Sequence, residues 1–151
     1  MLDDDLPADP PAVLPADQIR PAVRDDLVAL EAFLGPFIEA KQVIGRTADE
    51  LIYLLSTSFV AVDPDDTIVG FATLEIYSHK LAEVRSLTVA ADRRGHGLGQ
   101  RIVEACVDLA RRKNIFEVMA ITAAEPLFER CGFDAALPGQ KKALFLQTRE
   151  Q

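Results

Sequence analysis

Arg93-Arg94-Gly95-His96-Gly97-Leu98-Gly99 is the stretch of this sequence best equipped to hold a pyrophosphate. Its glycines let the backbone approach a ligand closely. A helix starting at Leu98 would offer unpaired N–H groups and the positive end of its dipole. Arg93 and Arg94 add charge-assisted donors, while His96 reads as a solvated turn residue. The spacing rejects two common nucleotide cradles. A dinucleotide turn needs G-x-G-x-x-G, but after Gly95 and Gly97 the third position is Gln100; a P-loop needs Gly-Lys-Ser/Thr, which is absent.

The elements around this turn can be read from periodicity. Ala82 to Val89 forms a strand leading into it, and Leu98 to Lys113 forms the clearest helix, with Ile102, Val103, Cys106, Val107, Leu109 and Ala110 on its apolar side. Upstream, Gln18 to Ala22 is a short extended run. Asp25 to Leu34 is helical, Gly35-Pro36 should break that helix, and Phe37 to Lys41 adds a further turn. Thr47-Ala48-Asp49-Glu50 has the capping-box pattern and starts a second helix running to about Leu55. Strands are expected at Phe59 to Val62 and Ile68 to Tyr77. Downstream, Phe116 to Ile121 should be a short buried strand, Pro126 to Cys131 a short helix, and Leu144 to Gln147 a final strand. The fold class is α/β (α+β), a mixed sheet with helices on both faces.

Composition bounds the function. The 151 residues suit one domain, over 17–151, preceded by an Asp-, Pro- and Ala-rich arm at 1–16 that has little to pack. A formal net charge of −8 argues against nucleic acid, which needs a basic surface. The two cysteines, Cys106 and Cys131, have no metal-ligand spacing and read as reduced thiols in apolar helical patterns. No apolar run is long enough to span a membrane, and the acidic, Pro-rich start is unlike a signal peptide, so the expected compartment is the cytoplasm.

Arg94-Gly95-His96-Gly97-Leu98-Gly99 matches [Arg/Gln]-x-x-Gly-x-[Gly/Ala], the acetyl-CoA signature of the GNAT superfamily of N-acetyltransferases, which this region closely resembles. The preceding strand, the long helix, the next strand and Phe128-Glu129-Arg130-Cys131-Gly132-Phe133 fall where that family has them. The resemblance implies a mostly antiparallel sheet splayed at its central strands, with acetyl-CoA as co-substrate and no metal. It also implies that the backbone of Leu87, Thr88 and Val89 bonds the pantetheine arm. The N–H groups of Arg94, Gly95, Gly97 and Gly99 would hold the pyrophosphate, with His96, Leu98 and Phe128 beside the donor.

From about Ile19 to Arg149 the chain further resembles the acetyltransferase domain of bacterial N-acetylglutamate synthases. Ile19-Arg20-Pro21-Ala22, Gly35-Pro36-Phe37, Val43-Ile44-Gly45-Arg46-Thr47 with Glu50-Leu51, Ala82-Glu83-Val84, and Leu137-Pro138 with Lys141-Lys142 and Arg149 carry that likeness. An ammonium must lose a proton before it can attack a thioester, and Glu83 occupies the family's base position. Arg46 stands where the family binds an α-carboxylate, a geometry that suits a guanidinium. Thr122 matches a Ser/Thr proposed to assist catalysis. Lys141, Lys142 and Arg149 would add positive charge for an acidic substrate.

Three departures matter. Many members of the superfamily protonate the leaving thiolate with a tyrosine at the position of Phe128, which cannot donate that proton. The full-length synthases carry an amino-acid-kinase-like domain that does not appear in this sequence, and Gly45 replaces a commonly basic or polar residue. The acceptor expected from the resemblance is the α-amine of glutamate or a similar acidic amino acid, a small-molecule partner. A peptide N-terminus or polyamine, or a non-catalytic acyl-CoA sensor, remain the alternatives. A homodimer is compatible with the resemblance.

Overall fold

The computed structural model describes residues 17–135 and 143–149. The arm at 1–16, Leu137, Pro138, Lys141 and Lys142 lie outside them. Among the described residues five strands form one sheet in chain order: β1 (Gln18–Pro21), β2 (Ser58–Val62), β3 (Ile68–Ile76), β4 (Leu81–Val89) and β5 (Glu117–Met119). The first four pair antiparallel, and β4 pairs with β5 in parallel. A parallel pair needs a long crossover. Here it is α3 (Leu98–Arg112), the helix expected from periodicity.

Each face of the sheet is covered, because period-2 alternation sends neighbouring side chains opposite ways. Phe59 and Ala61 of β2 join Ile102, Val103 and Cys106 of α3 and Phe128 of α4 (Glu125–Arg130) in one core. Val60 and Val62 join Leu30 and Leu34 of α1 (Leu27–Glu39) and Leu51 of α2 (Ala48–Leu54) in the other. Helix α3 lies so close to β3 that a Cβ on Gly70 would meet Ile102 Cδ1 at 2.6 Å. Cys106 of the same helix is fully buried in the core on that face, and burial pushes its thiol up to about 12. Both cysteines are free thiols.

Local signals explain the helix starts. The Thr47 hydroxyl accepts from the Glu50 N–H at 3.1 Å, as the capping pattern requires. Asp26 takes both arms of the Arg20 guanidinium at 2.8 Å each, and the Val23 N–H donates to it at 2.8 Å, tying β1 to the start of α1.

Three expectations are corrected. Helix α1 runs through Gly35-Pro36 without a break. Leu30 and Leu34 hold it to the sheet, and the Phe33 and Phe37 rings, 5.2 Å apart, bridge the Gly-Pro step. Packing overrides the proline, whose missing N–H leaves only the Ala32 carbonyl without its helical donor. Strand β5 is shorter than Phe116 to Ile121 and only half-buried, with Phe116 and Ile121 both exposed at its ends. It pairs with β4 alone among the described residues. No strand forms at Leu144 to Gln147, where the backbone is irregular and Leu144, Phe145 and Leu146 are exposed. Without a paired neighbour, an apolar run has no ladder to hold it extended.

Candidate active site

The pairing of β4 with β5 ends at Glu83–Met119, so the two strands part beyond that point. On its other side β4 carries a bulge: Phe71 pairs with Thr88, but Thr73 pairs with Arg85. Ser86, inside the bulge, sits at φ +59°, a left-handed conformation uncommon for a residue with a side chain. The sheet therefore splays where the sequence reading expects a pantetheine arm, and the backbone of Leu87 to Val89 borders the gap. A hollow of about 330 Å³ opens there, lined among others by Glu83, Ser86, Leu87, Thr122 and Phe128.

The glycine turn follows directly. Gly95 and Gly97 have φ of +82° and +79°, and a Cβ on either would find no atom within 4 Å. Gly97 is the N-cap of α3 and offers no side chain to close the first turn. The first N–H groups of α3 thus remain open to a ligand, which fits a pyrophosphate seat. Arg94 and His96 are exposed beside it, whereas Leu98 and Gly99 are buried beneath it. A Cβ on Gly99 would press within 2.9 Å of Leu127 in α4, so that glycine serves packing between helices.

Arg93 is engaged by carboxylates. Its guanidinium lies 3.1 Å from Asp17, 3.7 Å from Asp63 and 2.9 Å from Asp92. Three carboxylates claim its charge, and it ties the turn to the start of β1 and to the β2–β3 turn. The sequence offers both arginines as charge-assisted donors; in the structure these carboxylates hold Arg93, while Arg94 is exposed beside the turn.

At the mouth of the splay lies a charged array. Glu83 is buried, and its Oε1 accepts the Tyr77 hydroxyl at 2.6 Å. Burial and the Glu83 carboxylate push the Tyr77 phenol up to about 12. The Glu75 carboxylate receives Arg85 at 2.8 Å and lies 3.6 Å from Arg46. Arg46 is largely buried, and its Nε has no hydrogen-bond partner among the described residues. An orphaned donor of this kind is costly unless a ligand or water fills it. It borders a smaller hollow of about 140 Å³ that shares Val43, Ile44 and Ser86 with the first. Arg46 and Glu83 therefore converge on adjoining spaces.

Thr122 is half-buried, lines the first hollow, and accepts the Ala124 N–H at 2.8 Å as α4 begins. Phe128 is buried edge-on against Phe133, with ring centroids 5.2 Å apart. Arg149 is exposed in the irregular segment and lines neither hollow; Lys141 lies outside the described residues. Sequence reading missed Tyr77, Glu75 and Arg85. Their signal was the i, i+2 spacing of Glu75 with Tyr77 and Glu83 with Arg85 at one end of two consecutive strands, which puts all four on one face.

Residues 28–133 match the acetyltransferase (GNAT) family, and the chain belongs to it. It is a GNAT N-acetyltransferase by fold and family, and that family depends on acetyl-CoA. The chain is 30% identical over 115 residues to an uncharacterized N-acetyltransferase of Chlorobaculum tepidum, covering 76% of this chain and 74% of that one. It is 28% identical over 120 residues to an amino-acid acetyltransferase of Mycobacterium tuberculosis, covering 76% and 68% respectively. A solved Mycobacterium tuberculosis protein in complex with CoA and NLQ superposes with a TM-score of 0.73 at 25% identity, covering 83% of this chain and 76% of that one. The distant likeness to amino-acid acetyltransferases read from the sequence is thereby borne out. No helix among the described residues is long and apolar enough to cross a membrane.

Proposed function

We propose that the chain transfers acetyl from acetyl-CoA directly to the α-amine of an amino acid, glutamate or a similar acidic one. One observation carries this reading. Arg46, with its orphaned buried Nε, and Glu83 border adjoining hollows beside the splayed edge of β4. A guanidinium for a carboxylate and a carboxylate for an ammonium are what an α-amino acid asks of a site.

In this reading the open N–H groups at Gly95 to Gly99 take the pyrophosphate, and the backbone of Leu87 to Val89 takes the pantetheine arm. The acceptor's carboxylate bonds Arg46. Glu83 removes a proton from the ammonium, directly or through a water, and the free amine attacks the thioester carbonyl. Collapse of the tetrahedral adduct breaks the C–S bond and forms the amide as its nitrogen sheds the second proton. The released thiolate takes up one proton, so the two transfers balance through a relay group or water. Phe128 cannot give the thiolate its proton. The Thr122 oxygen accepts a backbone N–H, which leaves the hydroxyl hydrogen free to donate; water is the other source. The resemblance also offers Lys141 for the acceptor's second carboxylate.

The test is to follow thiol release from acetyl-CoA with a panel of amines. Release with glutamate, reduced at least a hundredfold in Glu83→Gln, is the expected result. Release with spermidine or a peptide N-terminus but no amino acid would overturn the acceptor assignment. If acetyl-CoA raises the melting temperature while no amine releases thiol, the chain is an acyl-CoA sensor.

A further inference from the structure

We propose that Tyr77 is a positioning residue for Glu83, fixing one oxygen of that carboxylate so that the other faces the acceptor amine. The inference rests on the reading of Glu83 as the base. Tyr77 follows β3 and stands at the hairpin end, where its N–H donates to the Leu81 carbonyl at 3.0 Å. From there its phenol reaches Glu83 Oε1 at 2.6 Å, a short bond of the kind an O–H makes to an anionic oxygen.

The second oxygen has a different setting. Glu83 Oε2 has no hydrogen-bond donor among the described residues; Arg85 Nε stands 3.9 Å away, beyond bonding range. Arg85 is held off because its Nη1 is committed to Glu75 at 2.8 Å. A glutamate side chain has several rotatable bonds, and a free one beside Arg85 would turn to pair with it. A hydrogen-bonded ion pair with a guanidinium would lower the carboxylate's basicity more than a neutral phenol does. Tyr77 on one side and Glu75 on the other thus leave Oε2 without a hydrogen bond, Arg85 staying at the 3.9 Å ion-pair distance, beside the hollow that Glu83 lines. Because its phenol ionises only near about 12, Tyr77 stays a donor throughout the range in which amines titrate into reactive form.

Tyr77→Phe keeps the ring and removes only this bond. The expected result is a fall in kcat of about tenfold, with the KM for acetyl-CoA unchanged, since Tyr77 touches neither the glycine turn nor Leu87 to Val89. A merely structural tyrosine would cost the same factor in any background. In Glu83→Gln, therefore, adding Tyr77→Phe should cost less than about twofold. An equal factor in both backgrounds, or a wild-type kcat in Tyr77→Phe, would overturn the proposal. A Glu83→Gln enzyme with wild-type rate would instead remove the base reading itself. A second measurement needs no activity. In Tyr53→Phe protein, Tyr77 is the sole tyrosine, and its ultraviolet ionisation should begin at lower pH once Glu83→Gln is added. An unmoved titration would contradict the contact.

Discussion

Glu75 and Glu83 stand directly opposite each other on β3 and β4, two carboxylates on one face of the sheet. Like charges at such a pair repel. Arg85 relieves them, at 2.8 Å from Glu75 and 3.9 Å from Glu83, and Arg46 adds a contact to Glu75 at 3.6 Å. Glu75 is thus the resident counter-ion of the arginine proposed to take the acceptor's carboxylate, and an incoming carboxylate must share Arg46 with it. Glu75→Gln should lower the KM for an acidic acceptor by about three- to tenfold and leave that for acetyl-CoA unchanged. Initial-rate kinetics with each substrate varied in turn would show this; a raised acceptor KM would contradict it.

The left-handed turn at Gly97 tests the donor site. A Cβ there meets no protein atom within 4 Å, so Gly97→Ala is not a steric clash within the fold. The strain of φ +79° costs about 1–2 kcal/mol, and the new methyl enters the space proposed for phosphate. The melting temperature should fall by about 2–8 °C while the KM for acetyl-CoA rises about tenfold or more. Calorimetry and kinetics on one preparation separate the two effects.

Arg93 should behave in the opposite way. Arg93→Ala removes the ties to Asp17, Asp63 and Asp92 and leaves three neighbouring carboxylates without their cation. Partial exposure screens these pairs, so the loss is on the order of 1 kcal/mol, seen as a melting temperature lower by about 2–4 °C. The KM for acetyl-CoA should change less than about twofold. A large KM effect with unchanged stability would return Arg93 to the phosphate site.

Asp26 sets an acid-side dependence of stability. The bidentate Arg20 guanidinium, with help from the Val23 N–H, holds its carboxyl below the ordinary value of 3.8 despite the opposing effect of burial. A lowered folded-state pKa contributes stability that is full above the unfolded value and is lost as pH falls through the folded one. The wild-type melting temperature should therefore drop on acidification below about pH 4. Asp26→Asn should be less stable at neutral pH, with the gap to wild type closing at low pH. A gap that stays constant with pH would contradict the linkage.

Local signals were legible in the sequence and long-range ones were not. The Gly95–Gly99 turn, the Thr47 cap and α3 are each set by residues within a few positions of one another, and the structure holds them as read. The Gly35-Pro36 step failed as a breaker because the packing of Leu30 and Leu34 into the second core lies outside any local rule, whereas Phe33 to Phe37 is a local i, i+4 pair that the Gly-Pro signal masked. The strand expected at Leu144 depended on a partner that apolar residues alone cannot specify. Arg46 and Glu83 could be named singly. Their meeting through Glu75 and Arg85 required the register of the β3–β4 hairpin and the bulge at Ser86, which a one-residue slip would have reversed.

The central claim is that one site reads an α-carboxylate with Arg46 while Glu83 frees the adjacent amine. The most direct measurement compares kcat/KM for glutamate with that for glutamate α-amide, in wild type and in Arg46→Ala. The expected result is a loss of about 30- to 100-fold for the amide in wild type, as when a charge-assisted bond is forgone. In Arg46→Ala the two acceptors should become nearly equal. Equal use of both by the wild-type enzyme, with no effect of Arg46→Ala on either, would contradict it.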